Sequence, residues 1–286
     1  MTNPYSADAN TAAIDDVVGV ELTIDGILVV ADKLQLEDFP PSMGIRLNIP
    51  QPDLKERVWS QVERDLTAQG VLDVHGNPHP EVAAMLDTLS RPDRIVEGRW
   101  WRRDVGGKMI RFVVCRKGGR HVVAARDQDM LVLQRVAAQV GLAGMVQTVL
   151  GEGSPADVEP LTGVAETLAN CRTADELTGY GIPPTSARVY ANIISEPESW
   201  VELVASERNP GGTVTQADGA AGVLDSKQGR IVSIPRRVNG ELYGSFLTGT
   251  RDNLQRALDS LVELLPSGSW FDPSDDASDA DNSYLH

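Results

Sequence analysis

The residues able to do chemistry are few and scattered along the chain. His75 and His79 flank a Gly76-Asn77-Pro78 turn. Two imidazoles with no third ligand at helical spacing do not make a metal site, and solvated turn histidines are the simpler reading. Asn209–Thr213 contains Gly211 and Gly212 but lacks the lysine and the strand-to-helix setting of a phosphate cradle. Gly244-Ser245-Phe246-Leu247 lacks the second glycine of a nucleophile elbow. Cys115 sits in a β run and Cys171 near a helix end, neither with a histidine placed to activate it, so they read as small core hydrophobes and, in a reducing compartment, as free thiols. No catalytic, metal-binding or cofactor-binding set emerges. An enzyme reading would require a dispersed site, recognisable as a pocket of convergent polar groups with perturbed pKa values.

Arg99-Trp100-Trp101-Arg102-Arg103 is the sharpest cluster. On a strand, Trp100 and Arg102 face one side while Arg99, Trp101 and Arg103 face the other, so one tryptophan belongs to the core and one to a basic face. Trp and Arg dominate protein-binding hot spots, yet a solvated sheet face paired with acids from nearby helices explains the same residues. The cluster sits in a charge island. Residues 91–126 hold eleven basic side chains against three acids, a balance of +8, whereas the whole 286-residue chain carries −15 and the remainder therefore −23. A basic, aromatic sheet face can grip nucleic acid, but an acidic chain without RNA-recognition aromatic motifs is poorly suited to it. No apolar run is long enough to span a membrane, and the polar N-terminus has no signal-peptide pattern, so a cytoplasmic protein is expected.

The elements that must position these residues follow from periodicity. Val18, Val20, Leu22 and Ile24 alternate as in a strand. Asp25-Gly26 is then a hairpin signal, although Ile27, Val30, Ala31 and Leu34 recur at helical spacing, and helix is preferred. Prolines 40, 41, 50 and 52 mark a loop. Leu54, Val58, Val62 and Leu66 line a helix with Asp53 and Glu56 placed as a capping box and Gly70 as its stop. A second helix runs from Pro80 to the break at Pro92. Ile95–Arg103, Met109–Arg116, Arg120–Arg126 and Met130–Val136 read as a four-stranded antiparallel meander with tight turns, closed by a helix bearing Val140, Ala143, Val146 and Leu150.

The second half repeats the plan. Leu161, Val164, Ala165 and Leu168 suggest a helical stripe, Thr173–Glu176 is a capping box for a short helix, and another helix spans about Pro184 to Ser195. Trp200–Arg208, Ala220–Leu224, Arg230–Arg237 and Glu241–Leu247 read as strands, followed by a helix from Thr250 to Pro266. Leu66-Thr67 with Gly70 matches Leu177-Thr178 with Gly181, and Leu89–Pro92 matches Ile194–Pro197, each of the latter two just before a tryptophan-bearing strand. The expected fold is α+β with a pseudo-two-fold internal duplication, each half a largely antiparallel meander flanked by helices, with a C-terminal helical bundle. The expected organisation is a flexible N-terminus over 1–16, halves over 17–151 and 152–271 forming one compact domain, and a disordered acidic tail over 272–286.

Val17–Gly26, Leu66–Asp73, Glu97–Asp104 and Val223–Lys227 resemble the EspG family, the cytoplasmic chaperones of mycobacterial type VII secretion, and the likeness extends from about Val17 to Trp270. The resemblance implies a pseudo-two-fold α+β fold, a helix after Asp25-Gly26, and no enzymatic activity, cofactor or metal. It implies a substrate: PE–PPE heterodimers, held at the apolar tip of the PPE subunit in an expected 1:1:1 complex, without nucleic acid or membrane insertion, self-association being left open. A greasy helical tip suits an apolar groove rimmed by charge. By position, the family's contacts fall on the strand residues Trp200, Val201, Glu202, Leu203, Val204, Ala205 and Ser206, on Tyr180, Ile182, Val189 and Ile193 of the preceding helical segment, and on Asp104, Gly106 and Gly107 of a turn that is short here. The strand alternates, and one of its faces must be core; the sequence leaves open which. The alternative function is a polyanion-binding module using residues 91–126.

Overall fold

The computed structural model describes residues 18–46 and 52–271. The segments 1–16 and 272–286, the proline loop around Pro50 and the side chain of Asp53 lie outside the described residues. Strand β1 (Gly19–Thr23) passes without a loop into helix α1 (Ile24–Leu34), because Thr23 caps it: its hydroxyl accepts the Gly26 N–H at 3.0 Å. The Asp25-Gly26 pair is therefore the first turn of a helix rather than a hairpin. Helices α2 (Pro52–Ala68) and α3 (Pro80–Ser90) follow, then the meander β2 (Arg94–Arg102), β3 (Lys108–Lys117), β4 (Arg120–Asp127) and β5 (Met130–Val136), closed by α4 (Gly141–Leu150).

The second half comprises β6 (Leu161–Val164), α5 (Ala165–Leu168), α6 (Ala174–Thr178), α7 (Pro184–Ser195), strands β7 (Ser199–Arg208), β8 (Val214–Gln216), β9 (Ala221–Ser226), β10 (Gly229–Val238) and β11 (Glu241–Thr248), and α8 (Arg251–Val262). The capping box at Thr173 and Glu176 is formed in full. Two expectations change. The stripe at 161–168 is a strand followed by one helical turn. Leu161–Val164 pairs with Tyr243–Phe246 at the sheet edge, Thr162 and Ser245 share a hydroxyl hydrogen bond of 2.8 Å, and Gly163 leaves room for the Tyr180 ring, which a Cβ would meet at 2.5 Å. Four residues are too few to show a period, so tertiary pairing decides. The link after β7 also contains an unforeseen short strand, β8, which pairs with Ser206–Arg208.

All eleven strands join one antiparallel sheet in the order β1-β5-β4-β3-β2-β7-β9-β10-β11-β6, with β8 alongside β7. The order reads alike from either end: the first strand of each half pairs with the last strand of its meander, and the meanders meet at β2 and β7. The matched landmarks also share geometry. Gly70 and Gly181 have φ of 74° and 83°, and Arg91 and Glu196, which end α3 and α7, have φ/ψ of −138°/66° and −133°/59°.

Three apolar cores result. One face of the sheet packs beneath α4 and α8 across both halves, burying Val96, Trp100, Val201, Leu203, Ala205, Val232 and Leu258. The opposite face is covered in the first half by α1, α2 and α3 over Ile95, Val113, Cys115 and Leu131, and in the second half by α5, α6 and α7 over Leu161 and Ile231. Buried Arg230 ties the halves together, holding Asp225 with two charge-assisted bonds of 2.6 and 3.0 Å while donating to the Gly151 carbonyl at 3.0 Å. Both cysteines are free thiols and buried. No helix among the described residues is long and apolar enough to cross a membrane.

Candidate functional site

The two helical layers on the second face leave the middle of the sheet uncovered, and the register of β3, β2, β7 and β9 sets what is displayed there. Residues directly opposite on antiparallel strands share a face, so the strip is built of lateral rows. The first row is apolar: Met109, Trp101, Trp200 and Leu224 lie in register, with Met109 and Trp200 exposed. The second is charged: Arg126, Arg111, Arg99 and Glu202, with Arg99 reaching Glu202 at 3.5 Å. The third holds Val113, Glu97 and Val204, and the fourth Cys115, Ile95, Ser206 and Gln216. Beyond the fourth row a cavity of about 120 Å³ has an apolar part, Phe39, Pro40, Pro92, Ile95 and Val214, and a charged rim of Asp38, Asp93, Glu97, Glu207 and Arg208. It is large enough for an apolar side chain.

One wall of the strip is the turn Pro41–Met43, a single 3₁₀ turn laid on β3. Arg126 fastens it by donating to the Met43 and Gly44 carbonyls, the latter at 2.9 Å, and the Ser42 hydroxyl donates to Glu97. The other wall is α7, packed against β9. Glu97 lies close to the buried Cys115, and burial followed by that negative charge pushes the Cys115 thiol far up, so it stays protonated and unreactive.

Trp200, Glu202 and Val204 open onto the strip, while Val201, Leu203 and Ala205 point the other way into the core beneath α8. Ser206 is buried at the far end of the strip. Ile182 and Ile193 are buried inside the bundle formed by α5, α6 and α7, with Val189 packed partly against that core, and half-buried Tyr180 covers Gly163 with its hydroxyl 3.9 Å from the Cys171 Sγ. These four residues shape the bundle wall from within. In the turn after β2, exposed Asp104 is engaged by Arg102 through bonds of 2.8 and 2.6 Å, and that guanidinium holds its carboxyl below the ordinary carboxylate range. Gly106 and Gly107 take φ of 83° and 74°, which tucks Gly107 against the Trp101 ring at the head of the strip.

Over Arg99–Arg102 the cluster divides as its alternation requires, whereas Arg103 leaves the strand and begins the turn Arg103–Val105. Trp100 is buried with Arg102 stacked 4.3 Å over it, and Trp101 faces the strip. Sequence reading missed Met109, Leu224 and Val214 as part of the surface. No local signal marks them, because each reaches the strip only by strand pairing, Met109 beside β2 and Leu224 and Val214 beside β7.

The remaining cations of 91–126 are largely engaged: Arg91 with Asp38, Lys108 with Asp127, Lys117 and Arg120 with Asp87, and buried Arg94 with the Trp270 carbonyl at 2.8 Å. Pairing of this kind is what a solvated sheet face offers its cations, and Arg111 and Arg103 stand outside it among the described residues.

Comparison with known proteins agrees with the fold. The chain is 78% identical over 286 residues to the ESX-1 secretion-associated protein EspG1 of Mycolicibacterium smegmatis, covering all of both chains. It is 67% identical over 280 residues to EspG1 of Mycobacterium tuberculosis, covering 98% of this chain and 99% of the relative. A solved structure of the type VII secretion system chaperone EspG5 of M. tuberculosis, in complex with a PE25–PPE41 dimer, superposes with a TM-score of 0.71 at 18% identity, covering 88% of this chain and 98% of that one. The model of the EspG family matches residues 23–260, and with relatives this similar along their whole length the chain belongs to the EspG family.

Proposed function

We propose that this protein is a cytoplasmic, non-enzymatic chaperone of type VII secretion that binds a PE–PPE heterodimer, seating the apolar tip of the PPE subunit on the strip between α7 and the Pro41–Met43 turn, in a 1:1:1 complex. The observation that carries the reading is the open row of Met109, Trp101, Trp200 and Leu224 at the centre of the sheet, between the two helical layers of its second face. Exposed aromatic surface flanked by charge suits a helical tip that must be shielded from water. Expression of the chain with candidate PE–PPE dimers, followed by calorimetry on the purified partners, tests it. Val204→Asp places a charge in the middle of the strip without touching the core, and should weaken binding about 30-fold or more, mainly through koff, while the fold is retained. Unchanged affinity for Val204→Asp and for Trp200→Ala would refute the strip as the binding surface.

A further inference from the structure

We infer that the second row of the strip is a seat for a carboxylate, an Asp or Glu side chain on the helical tip of the docked substrate, received between Arg99 and Arg111. The inference rests on the strip being the substrate surface. Its starting point is an arrangement that the free protein has no structural reason to favour. Arg126, Arg111 and Arg99 stand in direct lateral register on three neighbouring strands, with Arg111 between the other two. Like charges directly opposite destabilise a sheet. Arg126 is turned to the Met43, Gly44 and Gln128 carbonyls. Arg99 reaches Glu202 through one contact of 3.5 Å with its side chain 64% exposed. Arg111 is exposed, and among the described residues no acid pairs with it.

This is unusual in its own neighbourhood. In a chain of net charge −15, cations of the same segment have found acids, including a two-bond contact from Arg102 to Asp104. Opposed residues on antiparallel strands have Cβ atoms roughly 5 Å apart, so two guanidinium groups can close on a single carboxylate. The flanking rows fix its place. Trp101 and Trp200 lie on one side for apolar contact, and Glu97 on the other repels a second acid. The expected recognition pattern is thus an apolar tip bearing one acidic side chain beside its greasy contact.

The test uses the full chain and the purified PE–PPE dimer that the unmodified chain binds in co-expression, titrated at about 50 and about 300 mM salt. Arg111→Gln should weaken binding about ten-fold at the lower salt and flatten the salt dependence, and Arg111→Glu should weaken it further. Arg111→Lys should keep much of the affinity. Neither Arg111→Gln nor Arg111→Lys should lower the melting temperature, because removing or shortening the central cation relieves repulsion. An acid-to-lysine change on the substrate tip should restore binding to the Arg111→Glu chain. If Val204→Asp blocks binding while Arg111→Gln binds like the unmodified chain, the strip stands and the carboxylate seat is wrong. If neither substitution matters, the strip reading falls and the seat with it. Removing residues 272–286, which carry five aspartates, should leave affinity unchanged. Tighter binding by the shortened chain, absent when Arg111→Gln is combined with the truncation, would show that the chain's own aspartates compete for the same carboxylate seat, and would support the proposal.

Discussion

The two central strands hold matching places in the sheet and differ in what they display. Strands β2 and β7 each open a meander, each follows a helix that ends at a residue of nearly identical backbone angles, and they pair with one another over nine residues from Arg94↔Glu207 to Arg102↔Ser199. On the closed face both are apolar: Val96 and Trp100 from β2, Val201, Leu203 and Ala205 from β7. On the open face β2 carries Glu97, Arg99 and Trp101, whereas β7 carries Trp200, Glu202 and Val204. The backbone and the inner face satisfy folding and are alike, while the outer face is free to vary. The variation gives the strip a sense of direction, with cations towards β3 and apolar or acidic groups towards β9. A surface with such polarity can fix the orientation of a bound helix as well as hold it.

The sharpest way to break the comparison is to exchange the roles of the two faces. Leu203→Asp places a carboxylate where the side chain is fully buried under α8, and should cost about 4 kcal/mol or more, seen as loss of soluble protein or a large drop in melting temperature. Val204→Asp, one residue on, should melt within a few degrees of the unmodified chain. If both variants unfold alike, β7 has no open face.

The next test asks whether the bundle wall of the second half is rigid. Tyr190 is buried, with its hydroxyl 2.9 Å from the carbonyl oxygens of both Glu159 and Phe246, joining α7 to β11. Burial, followed by the nearby Glu159, pushes its phenol up, so it remains a neutral donor. Tyr190→Phe should cost about 1–2 kcal/mol in chemical denaturation and raise amide exchange in α7 more than in α3. Equal loosening of both helices would show that the two helical layers are not separate units.

The smallest effect lies in the first half, where the corresponding tie is ionic. Burial alone would push the Asp87 carboxyl up, but the Lys117 and Arg120 side chains at 2.8 and 2.9 Å outweigh it and hold the carboxyl below its ordinary range. A carboxyl depressed in the folded state contributes stability above the unfolded-state carboxylate range, and that contribution is lost as pH falls through the folded value. Asp87→Asn should therefore lower the melting temperature slightly at pH 7 and leave less acid sensitivity below about pH 4. An unchanged acid limb would assign that sensitivity to other carboxylates.

Much of this protein is legible in the sequence because much of it is local. The alternation of the meander strands, the Thr173 and Glu176 box, the span Pro184–Ser195 between its prolines and the helix begun at Thr250 are all set by neighbours a few residues away. Hydrogen bonding and side-chain periodicity act over that range, so the residues alone determine them. The division of Trp100 from Trp101 follows in the same way from the pleat. What only the tertiary structure decided is non-local. Residues 161–164 became a strand because β11 offered an edge, and Val214–Gln216 because β7 did. The strip exists because β2 and β7, about a hundred residues apart, became neighbours. Its outward residues are Trp200, Glu202 and Val204, rather than Val201, Leu203 and Ala205, because α8 and α4 settled on the other face and took water away from that side of the strand.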